Sequence, residues 1–288
     1  MSAVLNAAML GIAIGSLYAL LGVSFSVIYT PTKIFHFAHG AVIVASGYAA
    51  YTFIEQMGLP LPIGVIGAVV VAVVLGVAIE LLVYRTLRRR SASHLIVFIA
   101  SASVLTLVAA LITMAYGLAQ VSFAAPVRPA FDGAPLTNAQ LTTIVVAVVI
   151  IVPLAIFLKR SPWGIRFRAV GDAPEAAQRR GVNIPRVYLI SFVLGSAIAV
   201  PAAILQGWAT GFRPEMGFHD ALIATATTLV AGSRGVLAVA AAGIGIGLVQ
   251  GMSLLVFPSS WQDGVTYFLL FLVIVGPSLV RRRGLVHA

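Results

Sequence analysis

The sequence of 288 residues contains no cysteine and very little charge, since Asp, Glu, Lys and Arg together make up 9% of it while 60% is hydrophobic. Without cysteine there are no disulfides, thiolate metal sites or cysteine nucleophiles. The scarcity of charge excludes a soluble globular fold, because too few charged side chains are available to cover its surface. No polar stretch is long enough for a soluble domain, so residues 1–288 are expected to form a single transmembrane domain.

The chain also lacks the sequence patterns of common enzymes. It has no GxSxG elbow, no HExxH motif, no Walker lysine loop and no carboxylate pair. We therefore expect no catalytic residue, no metal site and no nucleotide or other cofactor bound by this chain. The net charge of +10 would suit nucleic acid, but the basic residues stand at the ends of apolar segments and form no single patch. Nucleic acid is therefore excluded as a partner.

Long apolar segments dominate the sequence. We identify nine of them, at residues 4–29, 37–53, 61–84, 94–118, 139–158, 187–208, 218–231, 236–257 and 264–280. Several reach the length of about 20 residues that a helix needs to cross a bilayer. Because lipid leaves no backbone group unpaired, all nine should be helical. The prediction is an all-α, polytopic transmembrane bundle of eight or nine segments. The short segment 218–231 either crosses or returns as a re-entrant helix.

Lysine and arginine indicate the orientation of the chain in the membrane. If the N-terminus lies outside, 16 of the 18 basic residues fall on the inner side. Cytoplasmic loops carry such an excess of positive charge. We therefore predict an outside N-terminus and a cytoplasmic C-terminus. The first segment has no charged start and no small-residue cleavage site, so it is expected to be a retained span rather than a signal peptide.

Small residues recur every four positions in the first and the eighth segments. This set comprises Gly11, Gly15 and Ala19 in one segment and Gly243, Gly247 and Gly251 in the other. Small residues at this spacing let two helix backbones approach closely. The pattern therefore predicts close helix packing, with a pore lining as the alternative.

The loop 159–186 is polar and strongly basic, and it lies between two long apolar segments. Its centre is typical of a short helix, with Asp172 as an acidic cap, Pro174 at the first position and Glu175 near the positive end. Gly181 suits the closing position. We expect this cytoplasmic loop to contact a soluble partner; the alternative is an amphipathic helix lying on the membrane. The candidate coupling residues are Asp172, Glu175, Ala176, Ala177 and Gly181.

Two further places are candidates for a substrate path or a gate. One lies at the start of the second segment and comprises His36, just before the segment, and Phe37, His39 and Gly40 within it. A structural role at the helix start is the alternative, whereas a metal site would need more ligands than two histidines. The other is the turn around Gly232 and Ser233, which is either a plain turn or a break whose exposed backbone groups meet the substrate.

Glu80 is the acidic residue placed well inside an apolar run. An intramembrane carboxylate is a candidate functional residue. Arg85 lies little more than one turn away, however, so we expect an ion pair at the helix end. One such carboxylate is weak support for a proton relay.

Three stretches resemble a known family. Residues 175–181 (EAAQRRG) resemble the cytoplasmic loop signature of ABC-importer permeases. Residues 15–20 (GSLYAL) and 37–40 (FAHG) are similar to the branched-chain amino acid permeases of the LivH type, and so is the region 167–207. The sequence departs from the family at His36, where asparagine is usual, at the turn 231–235 (AGSRG), and at Ile184-Pro185, which follows the loop glycine too soon.

The resemblance implies one membrane subunit of a heteromeric importer for branched-chain or similar small amino acids. A second, related permease and two cytoplasmic ATPases would be its partners, with ATP and Mg bound by those ATPases. A periplasmic binding protein would deliver substrate, and the protein would lie among the lipids of the bacterial inner membrane. It would be a transport subunit and not an enzyme. The wider family also takes up urea, short amides and small carboxylates, which leaves the substrate open.

Three other classes are alternatives. An ion-coupled secondary carrier would transport alone but usually needs buried ionisable groups, which are scarce here. An intramembrane enzyme would need a catalytic dyad that the sequence does not show. A scaffold role is the third.

Overall fold

The computed structural model describes residues 3–131, 136–232 and 234–258, together with 261, 264–265, 267–268 and 271–272. Within these residues the chain is helical, with only isolated bridges between extended residues, so the all-α prediction is confirmed. The helices are α1 (Ala3–Thr32), α2 (Ala38–Tyr51), α3 (Leu61–Ala78), α4 (Arg85–Arg89), α5 (His94–Tyr116), α6 (Asn138–Arg160), α7 (Pro162–Asp172), α8 (Pro174–Arg179), α9 (Ile184–Ala209), α10 (Met216–Ala231) and α11 (Val236–Ser253).

Among the described residues, six helices are long and apolar enough to cross a membrane, which confirms a polytopic bundle. They are α1, α5, α6, α9, α11 and the continuous helix Leu61–Arg89, which contains α3 and α4. Two other predicted segments form helices that are shorter than these six: α2 has 14 residues and α10 has 16. At 1.5 Å per residue, α10 rises about 24 Å, less than the roughly 30 Å of a hydrocarbon core. Most of the predicted ninth segment, 264–280, lies outside the described residues.

Two stretches of π-helix interrupt the regular geometry. Thr52–Gln56 prolongs α2, and Ile79–Tyr84 joins α3 to α4. The second stretch places Glu80 beside Arg88, with which it forms an ion pair, so the predicted partner Arg85 was wrong. In a straight α-helix, at 100° per residue, Arg88 would lie about 80° around the axis from Glu80. The wider i→i+5 turn removes roughly that offset, which sequence spacing alone does not reveal.

The predicted close packing of small residues is confirmed between α1 and α11. A Cβ built on Gly15 would lie 2.6 Å from the Cα of Ile244, and one on Gly251 would lie 2.5 Å from the Cα of Gly11. Real Cβ atoms do not approach so closely, so both helices need glycine at these positions. We call this contact, formed by Gly11, Gly15, Gly243, Gly247 and Gly251, the glycine seam.

Helices α1 and α9 form the centre of the bundle. Half of the most apolar 18-residue stretch of each helix is buried, whereas 17% of the corresponding stretch is buried in α5 and 22% in α6. The outer face of α5 exposes large apolar side chains, including Leu95, Leu107, Leu111 and Met114. An apolar outer surface of this kind suits lipid, because a helix that meets hydrocarbon needs no polar side.

Candidate functional site

The loop 159–186 folds into two helices, α7 and α8. Ser161 caps α7, its side chain accepting from the N–H of Gly164 at 3.1 Å. Ala173 separates the helices, and Pro174 begins α8 with Glu175 in its first turn. Gly181 closes α8 with a φ of +83°, a left-handed conformation that favours glycine. The short glycine-closed helix is therefore confirmed. We call residues 162–181 the loop unit.

The predicted cap role of Asp172 was wrong. Asp172 is the last residue of α7, and the residue before α8 is Ala173, which has no side chain able to cap the helix. The sequence signal for α7 was missed, because the polar loop was expected to hold one short helix. Its Ser-Pro start at residues 161–162 is a helix-start signal that would have predicted the first helix.

The loop unit has a buried side that fixes it to the bundle and an exposed side. Phe167, Val170 and Ala177 are buried against Val27 of α1 and Val187 of α9. The exposed side carries a shallow depression lined by Ala173, Pro174, Glu175, Ala176 and Arg179. The structure therefore divides the predicted coupling residues, leaving Glu175, Ala176 and Gly181 exposed while Ala177 anchors α8.

Helix α7 also contacts the end of α1. A Cβ built on Gly171 would overlap the carbonyl oxygen of Thr30 and would lie 3.5 Å from the Cα of Pro31. Because backbone meets backbone here, little compressible side chain separates the two helices. A displacement of α7 would therefore act directly on the last turn of α1.

The predicted residues around the start of α2 belong to a buried cluster of polar side chains. His39 Nε2 lies 2.8 Å from Ser24 Oγ, and His36 Nδ1 lies 2.7 Å from the hydroxyl of Tyr84. The hydroxyl of Ser101 accepts from the N–H of Ala38 at 2.9 Å. These residues connect α1, α2, α5 and the π-helix after α3. We call Ser24, His36, His39, Tyr84 and Ser101 the polar junction.

The other predicted residues near this junction pack rather than hydrogen-bond. Phe37 forms ring contacts with Phe98 and Phe218. A Cβ on Gly40 would overlap the carbonyl oxygen of Gly217, so α2 and α10 begin against each other. The predicted helix-start role is confirmed for this place, and its role in a path or gate stays a prediction.

The predicted break after the seventh segment is present. Gly232 ends α10 with a φ of +60°, and Gly235 precedes α11 with a φ of +93°. Gly232 is exposed and lies at the opposite end of α10 from Gly40, so the two tentative gate sites do not come together. Ser233 lies outside the described residues.

Sequence reasoning missed Asp220. The carboxylate is buried on α10, where Gln206 Nε2 donates to its Oδ1 at 3.2 Å and His219 Nδ1 lies 3.4 Å away. The signal was its spacing, because Asp220, Ala224, Thr227 and Thr228 recur with the helical period and all face inward.

Asp220 borders a small cavity between α2, α9 and α10. The cavity is lined by Ile43, Val44, Gly47, Ala203, Gln206, Phe212, Met216 and Asp220. Its lining is apolar apart from the carboxylate and the amide. Among the described residues, no group of three His, Asp or Glu side chains is placed to hold a metal ion.

A bundle of apolar helices with an exposed helical loop unit defines a multi-pass membrane protein. The sequence model of the family described as "Branched-chain amino acid transport system / permease component" matches residues 8–274. The chain belongs to this family.

Similar proteins include the high-affinity branched-chain amino acid transport system permease protein LivH of Escherichia coli (strain K12). It is 26% identical over 92% of this chain and 91% of its own length. The corresponding protein BraD of Pseudomonas aeruginosa is 25% identical with the same coverage. A solved structure titled "PsaBC from Streptococcus pneumoniae in complex with Fab" covers 95% of this chain and 91% of its own, with a TM-score of 0.52 and 15% identity. That likeness concerns the fold alone.

Proposed function

We propose that this chain is the membrane permease subunit of an ATP-driven importer of branched-chain amino acids. Family membership supports transport of this substrate class. The observation that carries the ATP-driven part is the exposed side of the loop unit. A short helix that presents Glu175 and Ala176 outward, while Ala177 fixes it to the bundle, is suited to insertion into a groove of a soluble partner.

The proposed partners follow from the family, with the loop unit as the docking surface for one of them. Two ATPases dock on the cytoplasmic side, one under the loop unit of this chain and one under that of a second, related permease. A periplasmic binding protein delivers substrate at the opposite side. This placement puts the N-terminus outside and the C-terminus in the cytoplasm of a bacterial inner membrane, as the distribution of lysine and arginine favours.

Force from the ATPases reaches the bundle by two routes. The loop unit continues into α9 at Ile184, and α7 touches α1 at Thr30. Since α1 and α9 are the two central helices, a small shift of the loop unit moves the middle of the bundle. We expect this shift to alternate the access of the substrate path between the two sides of the membrane.

Docking can be tested by co-purification of the ATPases with a tagged form of this chain. We expect Glu175→Ala and Gly181→Val to abolish co-purification. The first removes an exposed charge, and the second forces a β-branched residue into a left-handed conformation. The matched control is Glu215→Ala, which removes an exposed acid that precedes α10, far from the loop unit along the chain.

The control variant should retain the ATPases at the wild-type yield, and all variants should reach the membrane in equal amounts. Retention of the ATPases by both loop variants would refute the docking role. Leucine transport by this chain alone, reconstituted without ATPases, would refute the ATP-driven function as a whole.

A further inference from the structure

Asp220 is 2% exposed in a bundle whose apolar helices suit a membrane. Burying a carboxylate without compensation is expensive, and ionisable groups inside membrane helices usually have a functional partner. Within the described residues, no lysine or arginine lies within ion-pair distance of Asp220. Its partners are the amide of Gln206 and the ring of His219. Among the described residues, the His219 ring is thus the one group near this carboxylate that can become cationic, and no permanently charged side chain balances it.

The adjoining cavity has a matching composition. Asp220 and Gln206 form its polar side, and Ile43, Val44, Phe212 and Met216 contribute most of its apolar walls. A branched-chain amino acid has a positive ammonium group with three donors next to an apolar side chain. The carboxylate and the amide oxygen are acceptors suited to the ammonium group. The apolar walls suit the side chain.

We infer that Asp220 and Gln206 bind the α-ammonium group of the amino acid as it passes through this chain. This inference rests on the proposed function. The carboxylate holds the charge of the substrate, and the amide orients the carboxylate through the Nε2–Oδ1 hydrogen bond. The apolar walls favour a branched aliphatic side chain over a polar one.

The structure shows this site closed. The cavity volume of about 10 Å³ leaves room for about one water molecule. An amino acid enters only when α2 separates from α9 and α10. Helix α9 begins directly after the loop unit, and α2 begins at the polar junction next to α1. Both walls can therefore move when the loop unit is displaced.

The test uses the full complex in proteoliposomes, with leucine-loaded binding protein outside and ATP inside. We expect Asp220→Asn to lower the initial rate of leucine import at low substrate by about tenfold or more. The asparagine still accepts a hydrogen bond from Gln206, so the link between α9 and α10 is kept. Asp220→Glu should restore most of the import, because it restores the charge.

The matched control is Tyr18→Phe, which removes the 2.6 Å hydrogen bond from the Tyr18 hydroxyl to Gln250, between α1 and α11. Import by this variant should stay within about twofold of the wild type, since the lost bond lies away from the cavity. Equal losses in Tyr18→Phe and Asp220→Asn would mean that any buried hydrogen bond matters equally, which would overturn the inference.

A second measurement does not depend on the variants folding. A photo-reactive diazirine analogue of leucine, presented by the binding protein, is activated during turnover of the wild-type complex. Label in peptides that contain residues 43–47 or 203–220 supports the site, and label confined to other peptides overturns it. ATP-dependent import that is unchanged in Asp220→Asn overturns the inference and leaves the proposed function intact. Absence of ATP-dependent import in the wild type refutes the proposed function itself.

Discussion

The two halves of α1 are held by different kinds of contact. The N-terminal half packs against α11 through the glycine seam, where backbone touches backbone without intervening side chains. The C-terminal half is held by the hydrogen bond between Ser24 and His39 and by the contact of α7 with Thr30. One helix thus combines an apolar seam with a polar attachment.

This difference indicates which half of α1 is adjustable. Small-residue packing offers one well-fitted arrangement, because a shift separates the backbones and loses their van der Waals contacts. The polar junction has spare hydrogen-bonding capacity, since His36 Nε2 and His39 Nδ1 have no partner among the described residues. Such groups can exchange partners. We therefore expect the seam to stay fixed while the polar half responds to the loop unit.

The largest effect should come from Gly247→Val in the seam. Its Cβ would overlap the backbone nitrogen of Gly15, and overpacking at such a site costs about 3 kcal/mol or more. We expect a large fall in Tm of the purified protein in detergent. The control is Gly245→Ala on the same helix, where a Cβ meets nothing within 4 Å. A Tm equal to that of the control would mean that the seam is not close-packed.

A smaller effect is expected from Tyr84→Phe in the polar junction. The change leaves His36 Nδ1 buried without its partner, which costs about 1–3 kcal/mol. Thermal unfolding measures the loss. Tyr188→Phe on α9 is the control, because it keeps the ring over which the Arg88 guanidinium lies at 4.5 Å. If Tyr84→Phe lowered Tm more than Gly247→Val, the ranking of the two halves would be reversed.

Gly181→Ala in the loop unit should have a still smaller effect on stability. Nothing lies within 4 Å of the added Cβ, so only the left-handed backbone opposes alanine, at about 1 kcal/mol. Urea titration of the variant would measure this difference. A loss as large as that of Gly247→Val would mean that the loop unit packs more tightly than its exposed surroundings indicate.

The smallest effect is expected from Met114→Ala on α5. Its side chain is 84% exposed, so little intrachain packing is lost, and the change should stay within about 0.5 kcal/mol. The same thermal assay applies. A large destabilisation of the isolated chain would contradict the outward orientation of this face.

The sequence was sufficient for features governed by local chemistry. Apolar length predicted the long helices to within a few residues at most ends, as at His94 and Val236. The four-residue spacing of glycines predicted the seam, and Gly181 predicted the end of α8. Each of these depends on residues close together in the chain or on one repeated interval.

Features that depend on three-dimensional placement were not predictable in this way. The pairing of Glu80 with Arg88 depends on a π-helix that no spacing rule indicates. Asp220 was not predicted as a site residue, because its partner Gln206 lies on another helix and the cavity between them has no sequence signature. The polar junction likewise joins residues separated by up to 77 positions, from Ser24 to Ser101.

The π-helix at Ile79–Tyr84 has a consequence for how relatives should be aligned with this chain. An i→i+5 turn accommodates one residue more than an α-helical turn, so a relative with a one-residue deletion here could keep its helix unbroken. Everything beyond the deletion would then keep nearly its present orientation, because the seven α-helical steps left between Glu80 and Arg88 turn about 700°, roughly 20° short of two full turns. The arginine-rich end at residues 85–90 would still face the same neighbours, so an alignment of such a relative should place its gap within Ile79–Tyr84 and keep the arginines in register.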